Sequence, residues 1–148
     1  MKTYEPGERF ATMATGSLNH PGIWSHLGWE VLELEPGRAL LGWEADENHC
    51  FSAGDGWIVH GGMVATLLDT AMGQSTWSLL NNDEVFLTAD LRTEFYRPSR
   101  PGLLKAKGWV VHKTRRITFA GAELYDTENK LLASARATNM TINVENSP

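Results

Sequence analysis

Four residues of one segment could together act on a carbonyl group. His60, Gly61 and Gly62 follow a polar loop, and Asp69 comes seven residues after Gly62. Apolar residues recur at helical spacing from here to about Leu80, so a helix is predicted that begins at the histidine. The first N–H groups of a helix lack internal partners and carry the positive end of its dipole. Because positions 61 and 62 have no side chain, a substrate oxygen that gains negative charge could approach these donors.

Asp69 is the candidate catalytic group of this segment. Its neighbours Leu67 and Leu68 are apolar, and a carboxylate in apolar surroundings is unfavourable unless it is paired or used. It could act as a nucleophile or as a general base for water. The alternative is a structural aspartate, on a solvated helix face or bonded within the core, and the spacing alone leaves both open. A histidine such as His60 is more commonly a hydrogen bonder at a helix start than a catalyst.

The elements around this helix predict an α+β fold with a single domain over residues 1–148. Residues 1–27 are predicted to be irregular, with helical turns possible, and residues 46–59 to be a loop. Six strands are expected, two before the helix and four after it, and the short turns between them favour antiparallel pairing. Their predicted bounds are 29–35, 39–44, 84–96, 103–112, 116–125 and 130–142.

Composition and charge limit the classes of function. Lys and Arg total 13 against 18 Asp and Glu, and the net charge of −5 argues against nucleic acid as the main partner. Cys50 is the only cysteine, which excludes an intrachain disulfide and a cysteine metal cluster. Asp69 lies near the middle of the longest apolar stretch, so no membrane span is expected there. With no targeting signal recognised, the cytoplasm is the expected location.

The helix segment resembles that of the PaaI-type hotdog-fold acyl-CoA thioesterases, in which His-Gly-Gly is followed by six residues and then Asp. Two later segments are similar to the same family: Leu87 to Pro98, which ends in aromatic-x-Pro, and a closing hairpin formed by 115–126 and 130–135. The resemblance covers about residues 25–142. It implies a hotdog fold, in which a curved antiparallel sheet of about six strands wraps around one long central helix.

The resemblance also implies roles for individual residues. Asp69 would be the catalytic carboxylate, and the N–H of Gly61 would polarise the thioester carbonyl. His60 would shape the site, Thr88 would hold water or Asp69, and Gly62 would border the substrate. No metal and no cofactor are expected, because coenzyme A is part of the substrate.

One position departs from the family pattern. Many relatives have an asparagine six residues before the histidine, where this chain has Gly54. Asn48 and Asp55 are the candidates to supply the missing polar contact if the loop has a different shape.

A basic segment between residues 92 and 116 suits the phosphates of coenzyme A, given the resemblance. Only Glu94 opposes its positive charges, and the alternative is a set of solvated strand faces and turn tips. The members of this basic segment predicted to bind substrate are Arg97, Arg100, Lys113, Arg115 and Arg116; the others are Arg92, Lys105 and Lys107.

The predicted function is hydrolysis of an acyl-CoA thioester to free CoA and a carboxylic acid. The alternative is a non-catalytic hotdog protein that binds acyl-CoA or scaffolds a partner, and the sequence does not identify the acyl group. Gly61 and Asp69 lie roughly 12 Å apart along the helix axis and roughly 80° apart around it. Both should lie within about 3 Å of the reacting atoms, so we expect a site shared between two antiparallel chains. The resemblance likewise implies a homodimer, or a homotetramer built as a dimer of dimers.

Overall fold

The structure, a computed structural model, describes residues 22–144. Helix α1 (Gly22–Leu27) precedes strands β1 (Glu30–Glu35) and β2 (Arg38–Ala45). A 3-10 turn (Glu47–His49) leads into β3 (Cys50–Ala53) and β4 (Gly56–Val59), and helix α2 (Gly61–Trp77) follows. The remaining strands are β5 (Glu84–Phe95), β6 (Gly102–Lys113), β7 (Ile117–Tyr125) and β8 (Leu131–Asn143). No helix within these residues has the length and apolar character needed to cross a membrane.

Six of the strands form one antiparallel sheet in the order β1-β2-β6-β7-β8-β5, and β3 and β4 form a separate two-stranded ribbon. Helix α2 packs on one face of the large sheet, which we call the inner face, and β5 is an edge strand. The predicted α+β architecture is therefore confirmed, and each of the six predicted strands ends within one residue of its observed bounds.

Small residues form the floor beneath helix α2. Alternate side chains of a strand point to the same face, and most of the buried positions of β6, β7 and β8 under the helix are alanine or glycine. Gly108 makes the closest approach: a Cβ atom placed on it would lie 2.2 Å from the carbonyl oxygen of Ala71. The helix backbone thus rests directly on the sheet. The alanines of this floor are Ala106, Ala120, Ala122, Ala133, Ala135 and Ala137.

The predicted turn between the last two strands is also confirmed. The Asp126 carboxylate accepts the backbone N–H groups of Glu128 and Lys130, each at 2.9 Å. Asn129 takes the left-handed conformation, with φ of 59°, which asparagine tolerates better than most residues. These local bonds place the two strands side by side.

The prediction of a loop over residues 46–59 was wrong, because this segment contains the 3-10 turn and the ribbon. The ribbon reverses at Gly54, which has φ of +65°, and pairs Phe51 with Ile58 across its two strands. Each strand has only four residues, too few for alternation to stand out from the surrounding turn residues. Residues 22–27 form helix α1 inside the segment predicted to be irregular; residues 1–21 lie outside the described residues.

Helix α2 ends at Trp77, earlier than the predicted stop near Asn81 and Asn82. The reason is a tertiary contact. Ser78 accepts the N–H of Gly37, in the turn between β1 and β2, at 2.8 Å, and its hydroxyl donates to the carbonyl of Ser75 at 2.7 Å. The sequence around the helix end does not reveal a partner 41 residues away.

Candidate active site

His60 caps the start of helix α2. Its ring Nδ1 accepts the N–H of Gly62 at 2.9 Å, and its carbonyl accepts the N–H groups of Met63 and Val64. The N–H of Gly62 is therefore used inside the chain. No acceptor for the N–H of Gly61 occurs among residues 22–144. Of the two glycine donors predicted from the sequence, Gly61 is the one that can serve a ligand.

The surroundings of the two glycines differ. A Cβ atom on Gly61 would meet the ring of Phe95 at 3.4 Å, an ordinary contact distance, whereas a Cβ on Gly62 would lie 3.0 Å from Nδ1 of His60. Phe95 is the last residue of β5, so the edge strand ends beside the start of the helix. Gly62 is required by the cap itself, because a side chain there would press on the ring that accepts its N–H.

Asp69 and Thr88 are in contact. The Thr88 hydroxyl donates to Oδ1 of Asp69 at 3.1 Å. Burial raises the pKa of the Asp69 carboxyl, and the bond from Thr88 acts in the opposite direction. Among the described residues no cation pairs with this carboxylate. A partly desolvated carboxylate with one hydroxyl donor is more basic than an ordinary aspartate, which suits a general base or a nucleophile.

A β-bulge lies next to this contact. The pairing of β5 with β8 shifts register between Thr88, which is opposite Asn139, and Asp90, which is opposite Thr138. Ala89 is therefore an extra residue on β5. Bulges redirect the side chains around them and are common beside active sites, and here the redirected strand carries the only side-chain partner of Asp69 within residues 22–144.

Gly61 and Asp69 do not converge within one chain. Both belong to the uninterrupted helix α2, so a rise of about 1.5 Å per residue separates them by roughly 12 Å. The donor and the carboxylate cannot contact one carbonyl group from the same helix. The two groups predicted to act on one substrate therefore lie in separate places within the described chain.

The basic segment is divided by the fold. Arg97 and Arg100 lie at the end of the sheet near the start of helix α2, and their guanidinium groups donate to the carbonyls of Leu131 at 2.8 Å and Trp57 at 3.2 Å. The hairpin between β6 and β7 carries the other predicted substrate-binding residues, and it lies at the opposite end, where Ile117 pairs with Met140. Those residues are Lys113, Arg115 and Arg116.

The candidates to replace the family asparagine do not contact Asp69. Gly54 is in the turn of the ribbon, and Asp55 is exposed beside it. Asn48 is exposed in the 3-10 turn, where its N–H donates to Asp46 at 2.8 Å. Residues 22–144 contain no group of three or more His, Cys, Asp or Glu side chains placed to hold a metal ion.

One polar contact near the site was not predicted from the sequence. Asn139 is 1% exposed, and its amide Nδ2 donates to Oγ1 of Thr76 on helix α2 at 2.8 Å. The sequence does contain a signal for it, because Asn139 continues the alternation of Ala133, Ala135 and Ala137 and so falls on the inner face. An inward asparagine in a row of alanines indicates a buried polar contact.

Comparison with known proteins identifies relatives of this chain. A family model described as the thioesterase superfamily matches residues 57–133, which include helix α2 and strands β5 to β7. The chain is 30% identical to the medium/long-chain acyl-CoA thioesterase YigI of Escherichia coli strain K12, over 77% of this chain and 81% of that protein.

Solved structures agree with this match. A thioesterase family protein from Silicibacter pomeroyi superimposes with a TM-score of 0.81 at 26% identity, over 90% of this chain and 98% of that one. A phenylacetic acid degradation-related protein from Ralstonia eutropha JMP134 gives 0.80 at 26% identity, over 88% and 98%. The predicted hotdog fold is confirmed, and so is the resemblance of this chain to hotdog-fold thioesterases.

Proposed function

Because this chain belongs to the thioesterase superfamily and is an enzyme that hydrolyses thioesters, we propose that its substrate is an acyl-CoA. The observation that carries the proposal is the partly buried carboxylate of Asp69, which accepts a hydrogen bond from Thr88 on β5. Asp69 lies on the same helix that offers the N–H of Gly61. The similarity to a medium/long-chain acyl-CoA thioesterase supports a coenzyme A thioester as the substrate class.

The proposed reaction uses few groups. As a general base, Asp69 takes a proton from water while the water oxygen attacks the thioester carbonyl carbon. The N–H of Gly61 stabilises the charge that develops on the carbonyl oxygen. When the carbon–sulfur bond breaks, the proton on Asp69 passes to the departing sulfur, and free CoA and a carboxylic acid leave. In the alternative route the Asp69 carboxylate attacks the carbonyl carbon itself, the carbon–sulfur bond breaks, and the CoA thiolate leaves and takes a proton from water. A second water then hydrolyses the resulting anhydride, which releases the carboxylic acid and restores the Asp69 carboxylate.

A homodimer would complete this site. Leu91 and Phe95, on the inner face of edge strand β5, are 40% and 55% exposed, although they are opposite the core residues Ala137 and Ala133. Antiparallel pairing of two such edges would cover these side chains and place Gly61 of one chain near the carboxylate of the other. The same arrangement supports a CoA site, because it places the Arg97 end of one chain at the same end of the joined sheet as the β6–β7 hairpin of the other.

The shared site predicts recovery of activity in mixed dimers. Gly61→Pro removes the N–H, and proline is tolerated at the first position of a helix. His60 has ψ of 133°, as a residue before proline requires. Gly61→Pro and Asp69→Ala should each be inactive. After mixing by refolding, about half of the dimers are mixed and each has one intact site of two, so activity should return to about a quarter of the parental value.

The control is each variant refolded alone under the same conditions, which should remain inactive. The fraction of mixed dimers is checked by native mass spectrometry, using an affinity tag on one variant. Verified mixed dimers without activity would contradict the shared site.

The CoA proposal predicts a selective effect on KM. The double variant Arg115→Ala/Arg116→Ala should raise KM for an acyl-CoA by about tenfold, which corresponds to about 1.4 kcal/mol of lost binding. It should leave KM nearly unchanged for the matching acyl-pantetheine thioester, which lacks the nucleotide phosphates. Turnover is followed by the free thiol released, so binding without release would exclude catalysis on that substrate.

The matched control is Arg38→Ala/Arg136→Ala, which removes two exposed arginines from other parts of the sheet. It changes the net charge equally, so any general loss of attraction for an anion appears in both double variants. Equal increases in KM for the two thioesters, or for the two double variants, would exclude the hairpin arginines as phosphate ligands.

A further inference from the structure

The side chain of Asn139 occupies an unusual place beneath the active-site helix. It is directly opposite Thr88 on β5 and Thr118 on β7, so it is the inner-face neighbour of the residue that holds Asp69. Its amide crosses to helix α2 and donates to Thr76, two turns beyond Asp69. The Asn139 side chain therefore connects β8, the strand that pairs with β5 at Thr88, to the helix that carries Asp69.

Stability alone does not account for an amide at this position. Oδ1 of Asn139 and Oγ1 of Thr118 are buried, and neither has a hydrogen-bond partner within residues 22–144. A buried polar group with unused hydrogen-bonding capacity costs free energy that an apolar side chain of similar volume would not. Such a residue is explained better by the geometry it imposes than by the stability it adds.

The geometry that Asn139 affects is the position of edge strand β5 relative to helix α2. Within the chain, β5 pairs only with β8, and the bulge at Ala89 interrupts this pairing immediately after Thr88. The position of Thr88 relative to helix α2 therefore depends on how β8 is held against that helix. Near Thr88, the polar connection between β8 and the helix is the bond from Asn139 to Thr76.

We propose that Asn139 is a positioning residue for the active site: by tying β8 to helix α2 at Thr76, its amide holds Thr88 at hydrogen-bond distance from the carboxylate of Asp69. The expected effect of Asn139 on turnover rests on the proposed function. The expected effect of Asn139 on the Asp69–Thr88 contact does not depend on that function. Loss of the tie lets β8 and β5 move away from the helix, and Asp69 loses its donor.

The pKa of Asp69 reports this contact, because the bond from Thr88 lowers it against the effect of burial. No titratable side chain faces Asp69 from the strands packed under the helix. Their inner-face residues near it are Thr88 and Leu91 on β5, Gly108 on β6, Ala120 and Ala122 on β7, and Ala135, Ala137 and Asn139 on β8.

The test uses Thr76→Val, which removes the acceptor of the Asn139 amide and nearly conserves volume, so that Asn139 itself is untouched. The pKa of Asp69 is read from the carboxyl carbon signal in 13C NMR titrations, assigned by its loss in Asp69→Asn. We expect Thr76→Val to raise this pKa in the same direction as Thr88→Val, and to lower kcat about fivefold, the factor of one neutral hydrogen bond. Thr76→Ser, which restores a hydroxyl, should return both values toward the parent.

Thr118→Val is the matched control, because it also replaces a fully buried threonine beside Asn139 but leaves the tie intact. It should move neither the pKa nor kcat. If Thr88→Val raises the pKa and Thr76→Val leaves it at the parental value, Asn139 is purely structural and the proposal is overturned. Failure of the proposed function gives a different result, whatever the NMR titrations show: the parent would release no thiol from an acyl-CoA, or Asp69→Asn would release thiol as fast as the parent.

Discussion

Replacing Asp69 by asparagine should lower kcat/KM for an acyl-CoA by at least about 100-fold, the usual contribution of a general base, and leave the fold intact. Asparagine has nearly the same shape and can still accept the hydrogen bond from Thr88, but it cannot take a proton from water. The measurement is thiol release by purified parent and variant at equal concentration. A folded variant with more than about a tenth of the parental rate would exclude Asp69 as the catalytic group.

The same substitution should make the protein more stable. Burial raises the pKa of Asp69, so between its unfolded and folded pKa values the native state binds more protons, and stability falls as pH rises through this range. The neutral asparagine avoids this loss. The melting temperature of Asp69→Asn should therefore exceed that of the parent at pH 7, and the difference should shrink toward pH 4. A difference that does not depend on pH would contradict this account of the carboxyl.

Gly108→Ala should lower the free energy of unfolding more than the addition of a methyl group at any other glycine of the sheet. The new Cβ would lie 2.2 Å from the carbonyl oxygen of Ala71 and 2.9 Å from the backbone nitrogen of Met72. A helix backbone cannot move aside as a side-chain end can, so the helix and sheet must separate. We expect a loss of about 3 kcal/mol or more, at the upper end of overpacking. In a chain of this length that corresponds to a fall in melting temperature of about 6–12 °C.

Gly42→Ala is the matched control, because Gly42 lies on the neighbouring strand β2 and is buried as well. Its new Cβ would meet only the end of the Leu32 side chain, at 3.0 Å, and that side chain is 44% exposed and free to turn. A change of less than about 1 kcal/mol is expected. Equal destabilisation by the two alanines would mean that contact with the helix backbone is not what Gly108 provides.

The sequence predicted the fold well where patterns were long. Strands of six to thirteen residues alternate often enough to be recognised, and a turn such as the one at Asp126 is specified by its own side chains. The ribbon of β3 and β4 was missed because each strand is four residues long. The end of helix α2 was missed because Ser78 bonds to a distant turn.

The candidate site was predictable in part. Asp69 could be selected because a carboxylate among leucines is unfavourable unless it is paired or used. Thr88 could be selected because it matches a family position. The contact between Asp69 and Thr88 depends on a β-bulge, and no residue near Ala89 indicates a bulge in the sequence. The basic segment looked continuous because its members are neighbours in sequence, yet the twelve residues of strand β6 separate Arg97 and Arg115, which lie at opposite ends of the sheet. Proximity along a chain of long strands does not indicate proximity in space.

The alanine floor has a consequence for how this protein can vary over evolutionary time. At the alanine and glycine positions of this floor in the three central strands there is almost nothing smaller to change to, and anything larger pushes towards the helix. Outward positions such as Lys107, Glu123 and Arg136 have no such limit. Natural variation in these strands should therefore be confined to every second residue, and the inward residues should behave as a fixed template. Changes in substrate preference would then have to arise at the helix ends, the edge strand and the ribbon, which are free to drift while the floor stays constant.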